Sequence, residues 1–583
     1  MAKYTHFFLE IRGSELIGLE QCSLGQHNVL TNGNVIYLYR NRSTKQVYIG
    51  QTKHFITRHK QHYAGQEEKF NQANFDQVLI LTSVYFNGSA LDDVENQLIT
   101  YFIADRPKTR KQTVQFDTYE VINGNGGNRV NAYQEREKIA SEVILPFWEK
   151  VLHPDWVETK TLEELRTRAL VKYSPIKQLT DQQSQLIDDI IAQPNQHFLI
   201  NGDAGTGKTV LLTHLTASLL SQGTNKRIAI IVQPNWMKTA EEIFRVYGMN
   251  QSNLTIATST QLIKKRESYD TIIVDEAHKL SRRGSKQLAA FNKVYEYPEF
   301  ANYENHLQPL LDLGQQVILM YDVLQAIRPA NISRTSFQSL TQDFEKRYLT
   351  TQFRIQAPAG KNYSSEDYIN GIKYLLYKDT GLLGQTNFNP DFDRSLFHDT
   401  SPDAYFGYVE TEPLKKLFDW IEEDRNYYPE HVNRVLAGLV EPWAQKEGKD
   451  PSITHFHEGE LKRRWNSTQE NWVNSTDEDA EDQIGSVFAV QGIDLNRVGL
   501  LIGKDLQVDE DGHLYGDPNH FHNVNGKFTK EELKDPAFQQ EFTLFVLNIY
   551  YVLLTRGIDG IRIGFWHNPA FKKYFKTVLA IDA

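Results

Sequence analysis

The chain has 583 residues, of which 40% are hydrophobic and 23% are charged, and its formal net charge is −11. This length predicts three or four domains, and the composition is typical of a globular protein. A single cysteine, Cys22, excludes intrachain disulfides and favours a reducing cytoplasm. Since no apolar run reaches about 18 residues and the first residues lack an apolar core, we expect neither a membrane span nor secretion.

The net negative charge neither supports nor excludes a nucleic-acid partner, because the distribution of charge matters more than its sum. Residues 31–130 carry a small excess of Lys and Arg over Asp and Glu, whereas the remainder is acidic. Local basic patches at residues 58–60 and 108–111 are therefore the candidates for contact with nucleic acid.

A tyrosine-bearing hairpin is the first segment with recognisable chemistry. It follows residues 1–30, which we predict to be a small mixed leader. Residues 34–52 contain two alternating runs joined by a polar turn, a pattern that predicts a β-hairpin with Tyr37 and Tyr48 on its two strands.

Two helices are predicted after the hairpin. In the first, Arg58 and His62 lie four residues apart and share one face. The second is amphipathic and carries Glu95, and a turn-rich stretch begins at Asn123.

In this order, the residues resemble the GIY-YIG nuclease family over about residues 31–130. The family's two tripeptides match residues 35–37 and 48–50, although a valine replaces the first glycine. The resemblance implies a small α+β nuclease domain whose site residues are Tyr37, Tyr48, Arg58, His62, Glu95 and Asn123. Asn125 and Asn128 match the family's asparagine equally well.

Phosphodiester hydrolysis gives these residues distinct roles. Mg²⁺ on Glu95 would offset charge at the scissile phosphate, and Arg58 would bind phosphate oxygens in the transition state. Tyr37, with His62 nearby, would take a proton from the attacking water. Alternatively, the tyrosines are cross-strand packing residues, Glu95 is a solvated helix residue, and the domain is an inactive binding version of the fold.

Residues 197–209, HFLINGDAGTGKT, form the strongest motif of the chain. An apolar run, the pattern GxxxxGK[ST] and an apolar helix follow in order, which makes a chance glycine-rich turn the weaker alternative. Glycines let backbone N–H groups surround a polyphosphate at a helix N-terminus. Lys208 would reach the β- and γ-phosphates and Thr209 would bind Mg²⁺. The phosphate-binding set is Gly202, Gly205, Thr206, Gly207, Lys208 and Thr209.

Polar residues end two later apolar runs. The first ends in Asp275, placed to hold Mg²⁺, and Glu276, placed to orient the hydrolytic water. The second ends in Asp322, with Gln325 three residues further on.

These motifs resemble those of superfamily 1 helicases. The resemblance implies that Gln183 reads the adenine edge, that Gln325 detects the γ-phosphate and that His278 couples nucleotide state to the next motif. It also implies that Arg354 and Arg556 reach across a domain cleft to the γ-phosphate.

Residues 176–583 as a whole resemble the P-loop ATPases related to the helicase-like region of Schlafen proteins. The resemblance implies two RecA-like doubly wound parallel-sheet domains, residues 176–345 and residues 346–583, with an insertion at about 383–482. Helical spacing predicts a connector over residues 131–175. The expected fold class is therefore α/β, with the small α+β nuclease domain preceding two RecA-like domains.

Two features of the C-terminal part have more than one interpretation. Trp465 and Trp472, beside the basic run 462–464, would either stack on exposed bases or pack in a core. The His-rich residues 512–528 lack a cysteine and standard zinc spacing, so a β-hairpin is favoured over a metal site.

The sequence thus predicts a nuclease fused to an ATP-dependent helicase or translocase, with ATP and Mg²⁺ as cofactors. Its partner is nucleic acid, DNA favoured over RNA, although no motif reads a 2′-hydroxyl. A cytoplasmic location, a role in bacterial anti-phage defence or DNA processing, and a homo-oligomer or partner protein are expected from the architecture. Two alternatives are a nucleotide-gated switch that licenses cleavage without translocation, and an ATPase regulator with an inactive nuclease-fold binding module.

Overall fold

The computed structural model describes most of the chain as two compact units, residues 1–194 with 209–258 and residues 195–208 with 259–583. The described residues are 3–64, 68–105, 119–123, 135–166, 168–175, 179–203, 205–222, 226–234, 236–247, 249, 252–284, 292–328, 330–351, 355, 358, 360–429, 431–442, 447, 450, 452–465, 472, 480–490, 493–523 and 528–581.

A six-stranded sheet organises the N-terminal part of the first unit. Its strands are β1 (Tyr4–Arg12), β2 (Glu15–Ile17), β3 (Val35–Asn41), β4 (Gln46–Thr52), β5 (Gln77–Ser83) and β6 (Glu120–Val121). They lie in the order β2-β1-β5-β3-β4-β6, antiparallel except for the parallel pair β4 and β6. The predicted hairpin is the pair β3 and β4.

Helices cover both faces of this sheet. The helices in this part of the chain are α1 (Leu24–Asn32), α2 (Phe55–Ala64), α3 (Glu68–Gln72), α4 (Gly88–Ala104), α5 (Arg136–Ile139), α6 (Leu145–Phe147), α7 (Leu162–Arg166), α8 (Ala169–Lys172) and α9 (Asp181–Ala192). Side chains alternate along β3, so Ile36 packs in one core with α4 while Tyr37 and Tyr39 pack in another with Phe55 of α2. The alternation therefore places the predicted catalytic tyrosine on the α2 face.

The sheet extends beyond the segment expected to form the nuclease domain. Residues 4–10 pair with β5, and Phe7 and Leu9 are buried in the core that contains Tyr37. The predicted leader is therefore part of the sheet, because its apolar side chains complete that core. The predicted connector also packs inward, since Trp148 is fully buried and belongs to the core of α4.

Strands and helices alternate from residue 198 onwards. In chain order they are β7 (Phe198–Gly202), α10 (Lys208–Ser221), β8 (Ile228–Ile231), α11 (Met237–Val246), β9 (Leu254–Ala257), α12 (Ser259–Lys265), β10 (Tyr269–Val274), α13 (Leu307–Leu313), β11 (Gly314–Tyr321), α14 (Arg334–Leu340) and β12 (Glu345–Leu349). In the second unit, β12, β7, β11 and β10 are neighbours in that order and all parallel. In the first unit, β8 pairs with β9, also in parallel.

A second parallel sheet follows in the second unit. Its strands are β13 (Phe406–Val409), β14 (Arg434–Ala437), β17 (Ile484–Gly485), β18 (Leu495–Ile502) and β21 (Gly557–Phe565), in the order β13-β21-β18-β14-β17. Two antiparallel hairpins are β15 (Phe456–Glu458) with β16 (Leu461–Arg463), and β19 (Leu506–Val508) with β20 (Leu514–Gly516). The helices here are α15 (Ser365–Tyr377), α16 (Pro413–Tyr427), α17 (Val487–Val490), α18 (Pro536–Leu554) and α19 (Pro569–Val578).

The expected α/β class, with a small antiparallel domain followed by parallel sheets, is confirmed. The positions of some elements differ from expectation. Strands β13 and β14 both lie within residues 383–482, where we expected an insertion. Because both pair in the parallel sheet, this stretch builds the sheet. The boundary predicted at residue 345 falls at the first residue of β12, which pairs with β7.

Trp465 and Trp472 are packing residues. Both side chains are 1% exposed, and the Trp472 indole N–H donates to the Ala480 carbonyl at 2.8 Å. A Cβ added at Gly485 would come within 2.2 Å of the Trp472 ring, so the strand backbone lies directly on the indole. Stacking of these two rings on exposed bases is therefore excluded. The hairpin of β19 and β20 overlaps the start of the His-rich segment.

Within the described ranges, no helix combines the length and the apolar composition needed to cross a bilayer.

Candidate functional site

The tyrosine hairpin and helix α2 bring four of the predicted nuclease residues together in the first unit. The Tyr37 hydroxyl lies 2.8 Å from Nε2 of His62, and Nε of Arg58 donates to the same hydroxyl at 3.4 Å. The Tyr48 ring lies parallel to that of Tyr37, with 6.4 Å between centroids, and packs edge-on against His62 at 5.1 Å. Residues that are up to 25 positions apart in the sequence thus form one cluster.

Burial sets the protonation state of Tyr37. Its side chain is 1% exposed, and this burial raises the pKa of the hydroxyl, with Tyr48 adding to the rise and Arg58 opposing it. Because Arg58 already donates to the oxygen, the Tyr37 proton can point to Nε2 of His62 when that nitrogen carries no proton. The geometry therefore gives Tyr37 a proton acceptor at hydrogen-bond distance.

Gly50 has a steric reason to be glycine. It pairs with Tyr37 across the hairpin, and a Cβ at this position would lie 2.4 Å from the Tyr37 hydroxyl oxygen. No side chain fits there unless the tyrosine ring moves. The second tripeptide of the motif thus ends in a residue that keeps the first tripeptide's tyrosine in place.

Glu95 lies on α4 and is half-buried. Burial raises the pKa of its carboxyl to about 8, Asp92 adds to the rise, and Arg58 lowers it. Because ionisation of this half-buried carboxyl is unfavourable by itself, a bound cation would stabilise its charged form. Glu95 with Asp92 in its surroundings therefore fits a Mg²⁺ site of one carboxylate completed by water.

Asn123 has a structural task. Its side-chain carbonyl accepts the backbone N–H of Ile49 at 3.2 Å, and its amide donates to the Ile49 carbonyl at 2.5 Å. The side chain therefore binds the backbone of β4 within the second tripeptide. The other two asparagines that match the family, Asn125 and Asn128, lie outside the described residues.

A second tyrosine–histidine pair supports the first. The Tyr39 hydroxyl lies 2.7 Å from Nδ1 of His59, whose Nε2 lies 3.1 Å from the Ser14 carbonyl. A carbonyl only accepts, so Nε2 carries the proton and Tyr39 donates to Nδ1. This chain of bonds fixes α2 against the sheet, one residue from Arg58. The sequence offered no signal for it beyond a second histidine in the helix.

The phosphate loop has the backbone that its glycines predicted. Gly205 and Gly207 have φ values of +86° and +82°, in the left-handed region that favours glycine. A Cβ on Gly202 would lie 2.4 Å from Oγ1 of Thr206, so this position also requires glycine. Helix α10 begins at Lys208, and Thr209 is its second residue.

Lys208 lies at the mouth of this loop. Its Nζ donates to the carbonyls of Gly202 at 2.6 Å and Asp203 at 3.0 Å, and lies 3.8 Å from Oδ2 of Asp322. The Gln325 amide donates to the same Oδ2 at 2.7 Å. Lysine and sensor residues from different strands thus meet at the carboxyl ends of β7 and β11, where ligands bind in such folds. The donor set fits a polyphosphate.

The acidic pair after β10 is electrostatically polarised. Burial and the adjacent Glu276 raise the pKa of Asp275 to about 7, opposed by Lys279 and Lys208. Burial also disfavours the charge on Glu276, but Lys279, His278 and Lys208 lower its pKa below the usual value. His278 Nε2 lies 3.0 Å from the Glu276 carboxylate. Glu276 therefore holds its charge, and Asp275 fits a cation site.

Glu276 is held in an unusual backbone conformation. Its φ of +52° lies in the left-handed region that non-glycine residues rarely adopt. Such strain is often retained at functional sites. The residue predicted to orient water thus has a conformation that its surroundings impose.

The two arginines predicted to reach the γ-phosphate differ in what the structure describes. Arg556 is 1% exposed at the end of α18, where it donates to the carbonyls of Val552 at 3.1 Å and Ile493 at 3.4 Å. Its charge also lowers the pKa of Lys279, next to the acidic pair, although burial is the larger cause. Arg354 lies outside the described residues.

Gln183 lies in the first unit, in a capping box at the start of α9. Its side-chain carbonyl accepts the Thr180 backbone N–H at 3.2 Å, while the Thr180 hydroxyl accepts from the Gln183 backbone at 3.1 Å. Gln183 therefore has a local role in capping the start of α9, and its contact with adenine stays a prediction.

Two buried side chains that the sequence did not single out join the nucleotide loops to helices α15 and α18. Lys373 of α15 donates to the Asp203 carboxylate at 2.7 Å. Asn548 of α18 donates to the carbonyls of Val323 at 3.2 Å and Ala326 at 2.7 Å. A buried lysine or asparagine within a helix gives no sequence signal, because its partner is distant in the chain.

Two known protein families match separate parts of the chain. The family described as "Schlafen group 3, DNA/RNA helicase domain" matches residues 195–567, and the GIY-YIG catalytic domain family matches residues 33–108. The uncharacterized protein YPL245W of Saccharomyces cerevisiae is 28% identical over 406 residues, which is 63% of this chain and 81% of that protein.

Solved structures of helicases share limited similarity with the chain. The Pyrococcus furiosus Hef helicase domain has a TM-score of 0.30 at 9% identity, over 70% of this chain and 99% of its own. The DUF1998 helicase MrfA, solved with DNA and AMPPNP, has a TM-score of 0.32 at 10% identity, over 72% and 52%. A Pif1 helicase has a TM-score of 0.26 at 13% identity, over 66% and 92%. At these scores the likeness carries no inference about activity.

Proposed function

Because the chain belongs to the Schlafen group 3 DNA/RNA helicase domain family and carries a GIY-YIG catalytic domain, we propose that it is an ATP-dependent nucleic-acid helicase or translocase coupled to a Mg²⁺-dependent endonuclease. The observation that carries the nuclease half is the contact of Tyr37 with both His62 and Arg58, and the charge of Arg58 also lowers the pKa of Glu95. The motor half rests on Lys208, Asp322 and Gln325 at the carboxyl ends of neighbouring strands.

In the proposed nuclease reaction, Arg58 binds the phosphate and Tyr37 handles the proton. The oxygen of the attacking water bonds to phosphorus while the bond from phosphorus to the leaving oxygen breaks. The water proton passes to the Tyr37 oxygen and the Tyr37 proton moves to Nε2 of His62, so His62 takes the positive charge and no net charge builds on the buried hydroxyl. The Arg58 guanidinium offsets the charge that develops on the phosphoryl oxygens. A Mg²⁺ ion held by Glu95 would supply further charge neutralisation at the phosphate and leaving oxygen.

In the proposed ATPase reaction, Lys208 releases the loop carbonyls and binds the phosphates. Glu276, kept ionised by Lys279 and His278, orients the attacking water. Gln325, held by Asp322, is positioned to sense the γ-phosphate. Mg²⁺ held by Asp275 would neutralise charge on the transferred phosphoryl group, and the Thr209 hydroxyl stays a proposed ligand from the sequence pattern. Arg354 and Arg556 are proposed to add positive charge at the γ-phosphate.

The nuclease assignment is tested with Glu95→Ala. The variant is expected to lose Mg²⁺-dependent cleavage of nucleic acid and to keep ATP hydrolysis. Asp76→Ala is the matched control, since this acid is in the same domain and its carboxylate contacts Arg42 on the surface. If cleavage by Glu95→Ala equals that of the wild type, the domain is not a nuclease of this kind.

The motor assignment is tested with Lys208→Ala. Loss of ATP hydrolysis that nucleic acid stimulates in the wild type is expected, because the phosphate ligand is gone. Strand displacement that requires ATP would distinguish a helicase from a nucleotide-gated switch, and cleavage without displacement would favour the switch. Binding of nucleic acid with neither cleavage nor displacement would favour the ATPase regulator.

Setting and substrate are part of the proposal. We propose DNA as the preferred substrate, a cytoplasmic location because one cysteine suits a reducing compartment, and a role in anti-phage defence or DNA processing, alone or with a partner protein. Matched DNA and RNA substrates test the first point directly.

A further inference from the structure

A carboxylate lies inside the phosphate loop. Asp203 follows Gly202 directly, its side chain is 13% exposed, and its backbone carbonyl accepts from Lys208. A loop that binds a polyanion gains from positive charge, so an ionised acid in it opposes the ligand unless another group neutralises the charge.

The group that neutralises it is Lys373. This side chain is fully buried on α15, and its Nζ donates to Oδ2 of Asp203 and to the Asn387 carbonyl, each at 2.7 Å. The Tyr551 hydroxyl adds a weaker contact to Oδ1 of Asp203 at 3.5 Å. The pKa of Asp203 is raised above its usual value by burial, and the ammonium of Lys373 opposes the rise. Removal of a buried ion-pair partner leaves an uncompensated charge, which is costly.

The helix that carries Lys373, α15, is bonded to α18, which precedes the last strand of the second parallel sheet. On the same helix, the Tyr368 hydroxyl donates to the Leu554 carbonyl at 2.8 Å and the Tyr377 hydroxyl donates to Asn548 at 2.7 Å. Both partners belong to or end α18, which precedes β21 of the second parallel sheet. The negative charge of Asp203 in the phosphate loop is therefore balanced by an ammonium on α15, a helix that is held by α18.

We propose that Lys373 is a positioning residue of the nucleotide site, which acts through Asp203 to neutralise the phosphate loop and so allows a nucleoside triphosphate to bind. This inference rests on the proposed ATP site. It adds a dependence that the phosphate-loop pattern does not contain: nucleotide affinity requires α15 to be docked on the loop. Lys373 contacts Asp203 and not the nucleotide, so its effect is electrostatic and is removed when Asp203 is neutral.

The test measures affinity for a fluorescent ATP analogue with Mg²⁺, and KM and kcat for ATP, in the full chain. Lys373→Met is expected to weaken affinity and raise KM by about tenfold, a change worth about 1.4 kcal/mol, with kcat altered much less. Asp203→Asn combined with Lys373→Met is expected to restore affinity to near that of Asp203→Asn alone, as a double-mutant cycle of a coupled pair requires. In the double variant neither side chain carries a charge. If the contact were purely structural, its loss would leave KM raised in the double variant as well, so recovery of KM identifies an electrostatic effect.

Lys378→Met is the matched control. Lys378 follows the last residue of α15, but its ammonium pairs with Asp379 at 2.5 Å and makes no described contact with the phosphate loop. The affinity of the Lys378→Met variant for the analogue should equal that of the wild type. If Lys373→Met does not fold, Asp203→Asn and the double variant are compared directly, and equal affinities support the inference.

Two results overturn the inference: wild-type affinity in folded Lys373→Met, or a double variant that binds the analogue much more weakly than Asp203→Asn. If the wild type itself binds no triphosphate, the proposed ATPase fails instead, so the two failures are distinct.

Discussion

Gly50 and Tyr37 are paired across the β3–β4 hairpin so closely that a Cβ on the glycine would come within 2.4 Å of the tyrosine hydroxyl oxygen. Gly50→Ala is therefore expected to displace the ring from His62 and to reduce cleavage by about 100-fold, as misplacement of about 1 Å does in other sites. Cleavage of a labelled oligonucleotide measures the effect.

The control is Gly88→Ala, at the start of α4, where an added Cβ meets nothing within 4 Å. This variant should cleave like the wild type. Equal cleavage by Gly50→Ala would contradict the role given to the Tyr37 hydroxyl.

The two tyrosine–histidine pairs separate chemistry from support. Tyr37→Phe removes the hydroxyl bonded to His62 and Arg58, and should lower the cleavage rate by about 10²- to 10⁴-fold, the usual contribution of general acid–base catalysis. Tyr39→Phe removes the hydroxyl bonded to His59 and should lower stability by about 1 kcal/mol with little loss of rate. If the cleavage rate falls by the same factor in both variants, the Tyr37 hydroxyl has no special role in cleavage.

Asn548 is predicted to hold the sensor loop. It is fully buried and bonds the carbonyls of Val323 and Ala326, on either side of Gln325, while accepting from Tyr377. Asn548→Ala should lower kcat for ATP hydrolysis by about tenfold, because a displaced Gln325 loses its alignment with the phosphate.

Tyr377→Phe serves as the comparison for Asn548→Ala. It keeps both bonds from Asn548 to the sensor loop and removes only the hydroxyl that supports them. Its kcat should therefore lie much closer to the wild-type value. An unchanged kcat in folded Asn548→Ala would refute the positioning of the sensor loop by α18.

Asp505 is predicted to make stability depend on pH. This fully buried acid follows β18 and accepts from the Tyr550 hydroxyl at 2.5 Å, and burial raises its pKa to about 7. Between pH 5 and 7 the folded chain keeps a proton here that the unfolded chain has lost, so stability falls as pH rises, by about 1 kcal/mol per pH unit, until it levels off above pH 7.

Asp505→Asn removes that titration. The thermal unfolding midpoints of the wild type and the variant are measured at pH 5, 6, 7 and 8. The midpoint of the variant should rise relative to that of the wild type with each step up to pH 7. A constant difference across this range would mean that Asp505 titrates normally.

Local motifs allowed the sequence to predict the nuclease and nucleotide sites. The hairpin spacing predicted Tyr37 and Tyr48 on facing strands, and the phosphate-loop pattern predicted a strand, a glycine-rich loop and a helix start at this place. Family membership was also predicted correctly, for both the GIY-YIG domain and the Schlafen-related part. Such motifs are readable because their residues act within a few positions of one another.

Long-range packing was not readable in the same way. Strands β13 and β14 come from a polar, aromatic stretch that looked like an insertion, because each strand has only four residues. The Lys373 contact with Asp203 joins residues 170 positions apart, and a single lysine in a helix does not show which carboxylate it will meet. The catalytic and binding roles given to the site residues, Gln183 and Arg354 among them, stay predictions.

The most direct test of the central claim, a motor and a nuclease coupled in one chain, is cleavage of a labelled duplex with Mg²⁺, with and without ATP, by the wild type and Lys208→Ala. The account predicts that ATP accelerates cleavage by the wild type and has no effect on Lys208→Ala, which keeps the ATP-independent rate. Wild-type cleavage at the same rate with and without ATP would contradict the coupling.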